Sequence, residues 1–345
     1  MKTIKLEKLL MWLFLLVTLI LIGWYNLTKP SILILHSYDK DYSWVRDINT
    51  GLNRVLKNKY LYQVRWYYMD TKRHPDVKYK TSAGISARDL INQTRPDVVI
   101  AMDDDAQKYV AQHFANDPKI KIVFGGVNKE ITEYGYEKAN NVTGILERLP
   151  LTALSESLQS ARSLQKLNHP IRIAYLGDSS ETVYGDANQI KQFNWAPHQL
   201  IDVKNVKTWE EWKSSVAELN AKADVILLTN YRGLQRSATD ATLVPAKEVV
   251  AWTEKNASIP VMGGNGFFTE DGGMLAIGTS PFEQGEVAAR KALQIVMQKM
   301  DVKSLPIVAS QEFIVTMSGS RMKNRGFSLP KVYEAAAHAG DQYFE

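Results

Sequence analysis

Short apolar runs alternate with stretches of helical periodicity along most of the chain. A first series of strand-like runs occupies residues 32–35, 64–69, 98–102, 122–124 and 142–146, and a second occupies 171–176, 200–203, 225–229, 260–262 and 275–277. Between them, segments such as "SARDLINQT" and "AQKYVAQHF" have the spacing of apolar residues that predicts helices. Strands that alternate with helices predict parallel sheets covered on both faces, here two sheets of five strands.

The two series also resemble each other. "RPDVVIAMDD" in the first corresponds to "KADVILLTNY" in the second, "KIVFGGVN" to "IPVMGGNG", and "VTGI" to "LAIG". The spacing between paired segments varies, so the repetition is architectural rather than a clean sequence repeat. We predict two similar Rossmann-like α/β lobes, joined by a hinge at the proline-containing segments 149–151 and 280–282. The first lobe is expected to take residues 29–148 and about 282–305, and the second 149–281 and about 306–345.

An uncharged apolar run, residues 9–28, precedes the first strand. As a helix it is long enough to cross a hydrocarbon core of roughly 30 Å. Lys2, Lys5 and Lys8, against a single Glu7, predict that residues 1–8 form a cytoplasmic tail and that the rest is exported. A cleaved signal peptide is the alternative, but "GWYNLTKP" offers no small-x-small cleavage pattern. We expect a retained signal anchor that spans a bacterial inner membrane once, with the following domain in the periplasm.

Composition narrows the classes of function. The hydrophobic share of 45% and the charged share of 23% are those of a globular protein. The net charge of +5 comes from Lys and Arg scattered among acidic residues, so no nucleic-acid partner is predicted. The chain has no Cys, which rules out a lipid-modified Cys, disulfides and Cys-ligated metal. Its six His lack metal-ligand spacing, and no nucleophile elbow or phosphate loop occurs, so no metal, cofactor or catalytic site is predicted.

A polar and aromatic loop, residues 36–43, separates the first strand from the helix that follows it. Ligands collect at the carboxyl ends of strands in open parallel sheets, so this loop is expected to wall a cleft between the lobes. Ser37 and Tyr38 offer hydroxyls to a polar ligand, although Ser37 could merely cap the next turn. Tyr42 and Trp44 could stack on a ligand, and Trp44 could equally belong to the core. A hydrolase built on His36 and Ser37 is disfavoured because adjacent strand residues point to opposite sides.

Other strand ends supply further candidate ligand-binding residues. In the first lobe they are Asp103, Asp104, Gly126 and Asn128, and in the second Asp178, Ser179, Ser180, Asn230, Tyr231, Arg232 and Asn265. The acidic triplet "DDD" is either a helix N-terminal cap or a contact for a ligand ammonium. Glycines at strand ends allow close backbone approach or simply a tight turn. Arg232 is either a clamp for carboxylate or phosphate, or a solvated surface residue.

A family resemblance follows from several of these motifs. "LHSYDKDYSWVRDINTGL", "RPDVVIAMDDDA", "IVFGGVN", "NVTGI" and "IPVMGGN" resemble the ABC-transporter substrate-binding-like family of the type I periplasmic-binding-protein fold, over roughly residues 31–317. Versions of that domain also form the extracytoplasmic part of bacterial sensor kinases and cyclases. The transport members are usually freed or lipid-anchored, whereas this chain carries its own apolar helix.

The resemblance implies a receptor that closes on a small polar solute, such as an amino-acid-like molecule, without catalysis. Its partner would be an inner-membrane sensor protein or, alternatively, an ABC permease. The tethering helix favours the sensor, since a tethered receptor loses free diffusion but gains effective concentration beside a membrane protein.

Overall fold

The computed structural model describes residues 2–57 and 60–345. The first sheet and its helices are built from alternating elements, as the periodicity predicts. The strands are β1 Ser31–His36, β2 Gln63–Tyr68, β3 Val98–Met102, β4 Lys121–Val127 and β5 Val142–Leu146, and the helices are α1 Lys2–Thr28, α2 Ser43–Val55, α3 Val77–Thr94 and α4 Asp103–Tyr109. All five strands pair in parallel, in the order β5-β4-β3-β1-β2.

The second series forms a sheet with the same strand order. Its elements are α5 Leu151–Ser160, β6 Arg172–Asp178, α6 Glu181–Gln192, β7 Gln199–Val206, α7 Trp209–Lys222, β8 Val225–Leu228, α8 Ala246–Asn256, β9 Val261–Gly263, α9 Phe267–Glu270 and β10 Leu275–Thr279. The order β10-β9-β8-β6-β7 repeats that of the first sheet strand for strand. The predicted architectural repetition is therefore confirmed, and the ends of the ten predicted strands differ from the observed ends by at most three residues.

The remaining elements enlarge both sheets beyond the predicted five strands. They are α10 Pro281–Val296, β11 Val308–Ala309, β12 Phe313–Ser318, α11 Gly319–Asn324, α12 Lys331–Ala339 and β13 Tyr343–Phe344. β11 pairs with β5, so the first sheet has six strands. β12 runs antiparallel to β10 and pairs with β13, so the second has seven. Runs of two residues are too short to show a period, which is why the pattern misses β11 and β13.

Helix α10 returns to the first lobe and packs on α2 through two glycines. The apolar face of α2 places Val45, Ile48 and Leu52 in the core, where all three are fully buried. Gly51 faces the backbone of Phe282, and Gly285 faces the backbone of Ile48 so closely that a Cβ on either glycine would overlap a carbonyl oxygen. Close packing of these two helices thus depends on the missing side chains.

The chain crosses between the lobes at three places: β5 to α5, β10 to α10, and β11 to β12. The predicted hinge segments 149–151 and 280–282 lie at the first two. The carbonyl of Arg148 in the first crossing accepts hydrogen bonds from the hydroxyls of Thr279 and Ser310, each at 3.0 Å. The sequence places the last return to the second lobe at about residue 306, whereas β11 stays in the first sheet and the third crossing follows Ala309.

Helix α1 is joined to β1 by only Lys29 and Pro30. Residues 5–28 are apolar and long enough to cross a membrane, by length and composition. Its C-terminal end also contacts the first lobe, because Gln63 Nε2 donates to the carbonyl of Asn26 at 2.9 Å. Helix α1 is therefore connected to the first lobe by two residues and by one side-chain hydrogen bond.

Candidate functional site

The carboxyl ends of both sheets face each other across a small cavity of about 20 Å³. Both lobes contribute to its wall. The lining residues are Tyr38, Tyr42, Trp44, Asp103, Asn128 and Glu147 from the first lobe and its exit crossing, and Thr182, Asp186, Asn230, Asn265 and Phe267 from the second lobe. A site made by two lobes is one whose completeness depends on their closure.

Asp103 is held in an unusual conformation at the start of α4. Its φ is +68°, in the left-handed region that few residues other than Gly adopt. Trp44 Nε1 donates to Asp103 Oδ1 at 2.9 Å, which fixes the carboxylate against the indole. Gly126, whose φ is +65°, lies next to this carboxylate, and a Cβ on Gly126 would come within 3.0 Å of Asp103 Oδ1. Trp44 is 8% exposed, so it serves as cavity wall and core residue together.

Aromatic rings of both lobes form another part of the cavity wall. Tyr38 meets Tyr42 edge-on at 5.5 Å between ring centroids, and Tyr42 lies 5.9 Å from Phe267 of the second lobe. The guanidinium of Arg232 lies 5.0 Å from the Tyr42 ring and 4.9 Å from Phe267. Arg232 Nη2 also donates to Asp271 Oδ2 at 2.6 Å. Arg232 thus packs against the aromatic wall and pairs with Asp271 through Nη2, while its buried Nε has no partner among the described residues.

Several buried oxygen atoms at the cavity have no hydrogen-bond partner within the described part of the chain. They are Asp103 Oδ2, Asn128 Oδ1, Asp186 Oδ1 and Asn265 Oδ1. The amide of Asn265 is oriented by its Nδ2, which donates to the carbonyl of Thr229 at 3.0 Å. These acceptors come from both lobes, and each belongs to a residue that is more than nine-tenths buried. Buried acceptors of this kind are costly to leave unsatisfied, which marks the cavity as a place for hydrogen-bond donors.

The carboxyl groups of the cavity are shifted towards their neutral forms. Burial raises the pKa of Asp186 to about 7. Burial, together with the nearby Asp186, Asp103 and Asp104, raises the pKa of Glu147 well above its usual range. Burial likewise raises the pKa of Asp103, although the hydrogen bond from Trp44 opposes this shift. Desolvation and mutual repulsion both penalise negative charge here, and a nearby cation would relieve both.

A second cavity, also of about 20 Å³, adjoins the first and shares Tyr38 and Thr182 with it. The ammonium of Lys72 lies 5.3 Å from the Tyr38 ring centroid, and Lys80 pairs with Asp105 at 2.9 Å. The other residues that line it are Thr71, Pro75, Asp104, Ser180, Glu181 and Gly233. This cavity mixes both signs of charge, unlike its neighbour.

Ion pairs connect the two lobes beside these cavities. Glu181 at the start of α6 accepts from Lys108 at 2.8 Å and from Lys129 at 2.9 Å, both of the first lobe. These two cations hold the pKa of Glu181 below its usual range despite its burial. Arg46 of α2 pairs with Glu270 of α9 at 3.2 Å. The lobes are therefore in direct contact at more than one point.

Comparison with known proteins assigns the chain to a family. A model of the family described as ABC transporter substrate binding protein matches residues 45–337. The chain belongs to the ABC transporter substrate binding protein family. The match begins after the loop "HSYDKDYS", so that loop lies outside the matched region. A search of curated proteins gives no match.

Solved structures share the fold at low sequence identity. A conserved domain protein from Vibrio cholerae matches with a TM-score of 0.68 and 16% identity, over 92% of this chain and 100% of that chain. An ABC domain in complex with L-Trp from Streptococcus pneumoniae gives 0.64 and 15%, over 88% and 98%. A leucine binding protein from Thermotoga maritima gives 0.54 and 12%, over 78% and 83%. The predicted type I periplasmic-binding-protein fold, with a preceding apolar helix, is confirmed.

The structure of this ABC substrate-binding chain brings many of the predicted site residues together. Those that line the first cavity are Tyr38, Tyr42, Trp44, Asp103, Asn128, Asn230 and Asn265. Asp104 and Ser180 line the second cavity instead. Asp104 accepts from the hydroxyl of Tyr134 at 2.7 Å, and burial raises its pKa to about 6. A role for these residues in binding stays a prediction.

Other predicted residues are engaged within the protein. Ser37 Oγ donates to the carbonyl of Met102 and accepts from the amide of Ala106, both at 2.8 Å, so it ties β1 to β3 and caps α4. The Gly126 amide donates to Gln284 Oε1 at 2.8 Å. These two residues shape the floor of the cavity without lining it.

Several predicted residues of the second-lobe loops are also engaged in hydrogen bonds within the protein. Asp178 accepts from the amides of Ser180 and Gly233, at 2.8 and 2.7 Å, and so holds two strand-end loops together. Tyr231 is fully buried, with its hydroxyl donating to Asp271 at 2.7 Å. Four of the predicted second-lobe residues line neither of the two cavities: Asp178, Ser179, Tyr231 and Arg232.

The side chains of His36 and Ser37, the pair considered for a hydrolase, point to different sides of β1. The His36 ring contacts Asn49 at 2.8 Å and stacks on Tyr68 at 5.2 Å between centroids. The Ser37 hydroxyl is engaged with α4 and β3 instead. The two side chains therefore act in separate surroundings.

Sequence reasoning missed four residues of the first cavity: Glu147, Thr182, Asp186 and Phe267. Glu147 directly follows β5 and so satisfies the strand-end rule, but the prediction after this strand took up only the hinge segment 149–151 and left Glu147 out. Thr182 and Asp186 lie one turn apart on α6, a position that a rule about strand ends does not examine. Phe267 begins α9 directly after the "GGNG" turn.

Proposed function

We propose that this chain is a membrane-tethered solute receptor of the periplasm, whose two lobes close on a small polar molecule and signal occupancy to an inner-membrane sensor protein. The observation that carries the proposal is the cavity between the lobes, with acceptors and aromatic rings from both. Binding at an interlobe cavity couples occupancy to lobe position, because contacts to both walls form only when the lobes are closed.

Family and fold support the solute-binding part of the proposal. The family is one of substrate-binding proteins, and a protein of the same fold holds L-Trp. The tether rests on α1, whose apolar length suits a bilayer. Retention in the membrane favours a sensor partner over an uptake permease, since tethering raises the local concentration of the receptor beside one partner. Uptake by an ABC permease is the alternative.

Closure can be tested with fluorescent labels, because the chain has no Cys of its own. Glu137→Cys in the first lobe and Lys191→Cys in the second place one exposed label site on each. Energy transfer between the labels should change on addition of the ligand in the full chain in detergent. A matched pair within the first lobe, Glu137→Cys with Lys57→Cys, should not change. Ligand binding without a change in the interlobe pair would contradict closure.

The tether and its partner need a separate experiment. Replacing residues 1–28 with a cleavable signal peptide should release the receptor from the membrane. Loss of a ligand-dependent cellular response, with ligand affinity unchanged, is the result expected of a tethered sensor. Ligand uptake that survives release would favour the permease alternative, and release of the unaltered chain into the soluble fraction would contradict the anchor.

A further inference from the structure

We infer that the interlobe cavity selects a small organic cation with several N–H donors, an alkyl amine or guanidinium compound, rather than a zwitterionic amino acid or an anion. The inference rests on the proposed solute-binding function and names its ligand class. It is carried by the charge of the lining residues and by the unpartnered acceptors of both lobes.

The charge of the lining residues is one-sided. Asp103, Glu147 and Asp186 all line the cavity, and none of the described lining residues is Lys, Arg or His. Three carboxyl groups within one desolvated space repel each other when ionised. A cationic ligand placed among them allows them to ionise and supplies the missing opposite charge. An anionic ligand would add to the repulsion instead.

The unpartnered atoms specify the donors on that cation. Asp103 Oδ2 and Asn128 Oδ1 lie on the first-lobe side, and Asp186 Oδ1 and Asn265 Oδ1 on the second-lobe side. All four accept hydrogen bonds, and the Asn265 amide cannot turn its nitrogen inwards without losing its bond to Thr229. A primary ammonium carries three N–H donors and a guanidinium five, so either can reach acceptors of both lobes. A quaternary ammonium has none.

The cations near the cavity do not line it. Arg232 Nη2 is paired with Asp271 Oδ2 at 2.6 Å, and its guanidinium lies beside the Tyr42 and Phe267 rings. Lys72 lines the neighbouring cavity, with its ammonium 5.3 Å from the Tyr38 ring centroid. A zwitterion would therefore put its carboxylate among three carboxyl groups without a partner. A bare metal ion is also disfavoured, because no group of His, Asp and Glu within the described residues could hold one.

The aromatic wall suits the carbon chain of such a ligand. Tyr38, Tyr42 and Phe267 present ring faces and edges beside the acidic groups. Rings of this kind pack against methylene groups and attract a cation through their π faces. A short chain with a charged end would thus contact both kinds of wall.

Calorimetric titration of the full chain in detergent can test the inference with defined probes. Putrescine and agmatine supply ammonium and guanidinium donors, 1,4-butanediol is a neutral analogue of the diamine, and L-Trp and succinate supply a zwitterion and an anion. We expect binding of an amine probe at least tenfold tighter than of the diol, L-Trp or succinate. Tighter binding of one of those three would overturn the inference and leave the solute-binding function standing. Failure of every probe would count against the inference, and absence of lobe closure with any solute would count against the function.

Neutral isosteric variants locate the interaction. Glu147→Gln and Asp186→Asn should each weaken amine binding about tenfold or more, because a charged hydrogen-bond partner is removed. Both should fold, since burial already favours the neutral form of these groups. Glu210→Gln, at an exposed carboxylate of α7, is the matched control and should bind as the unaltered chain does. Unchanged amine affinity in both cavity variants would overturn the inference.

Discussion

Trp44 combines two roles at the scale of a single residue. Its indole walls the cavity and its Nε1 fixes one oxygen of Asp103 at 2.9 Å. Removing the ring and removing the donor should therefore have separable effects. The burial of Trp44 explains why sequence reasoning could not choose between wall and core, since the residue belongs to both.

Trp44→Phe should weaken ligand binding by about 1–3 kcal/mol, because the Asp103 carboxylate loses the hydrogen bond that fixes its position in the cavity wall, while an aromatic ring is kept there. Titration calorimetry measures the affinity, and thermal unfolding measures the stability of the same sample. Trp252→Phe, in an aromatic pair with Trp209 on α7, is the control. Unchanged affinity together with a large loss of stability would assign Trp44 to the core alone.

Asp186 should make both stability and binding depend on pH. Its pKa is raised to about 7 by burial, with Asp104 and Asp178 repelling its charge and Lys72 and the Thr229 hydroxyl favouring it. A carboxyl whose folded pKa exceeds its unfolded value stabilises the fold at low pH and loses that contribution as pH rises through the folded pKa. The Tm without ligand should therefore fall as pH rises from about 4, near the unfolded value, to about 7, and level off above it.

Binding of a cation should have the opposite dependence on pH. The cation favours ionised Asp186, so binding near pH 7 should release protons and weaken as pH falls. Titrations in two buffers of different ionisation enthalpy would measure the proton release. Asp186→Asn should flatten both pH dependences, and an unaltered dependence in that variant would assign the titration to another group, such as Glu147.

The limits of sequence reasoning are clear at individual residues. The strand-end rule finds Tyr38, Asp103 and Asn265 because parallel strands place their carboxyl ends at one edge. It cannot tell a side chain that lines the cleft from one such as Ser37 that is consumed by local hydrogen bonds. It also omits Asp186, which reaches the cavity from a helix face.

At the scale of elements, the packing of α2 on α10 depends on backbone contact. Gly285 faces the carbonyl of Ile48, and Gly51 faces that of Phe282. The apolar period of α2 predicts which face is buried, but a single chain gives no indication of which partner helix will meet it. The partner comes from residues 281–296, far along the sequence.

Gly285→Ala should lower the free energy of unfolding by about 1–3 kcal/mol, because the added methyl group forces the two helices apart. Denaturant unfolding of the full chain would measure the loss. Arg290→Ala on the same helix is the control, since its 3.0 Å pair with Glu286 is exposed and is worth under about 1 kcal/mol. Equal stability of Gly285→Ala and the unaltered chain would mean that the helices can separate at little cost.

At the scale of the whole molecule, Glu181 connects the lobes through Lys108 and Lys129. Glu181→Gln should shift the population towards open lobes and so increase the radius of gyration measured by small-angle X-ray scattering. Glu218→Gln is a matched control, because Glu218 also joins two cations, Lys204 and Lys222, but within one lobe. An unchanged radius in Glu181→Gln would show that other interlobe contacts, such as the Arg46–Glu270 pair and the aromatic rings, keep the lobes together.

The short connection between α1 and β1 decides which part of a tethered receptor can move. Only Lys29 and Pro30 separate the helix from the first sheet, and the Gln63 side chain braces the joint. With α1 held in a bilayer, the first lobe is stationary in the membrane frame and the second lobe makes the whole excursion. A membrane partner would then read occupancy as the position of the second lobe above the bilayer, with the first lobe as a fixed reference point.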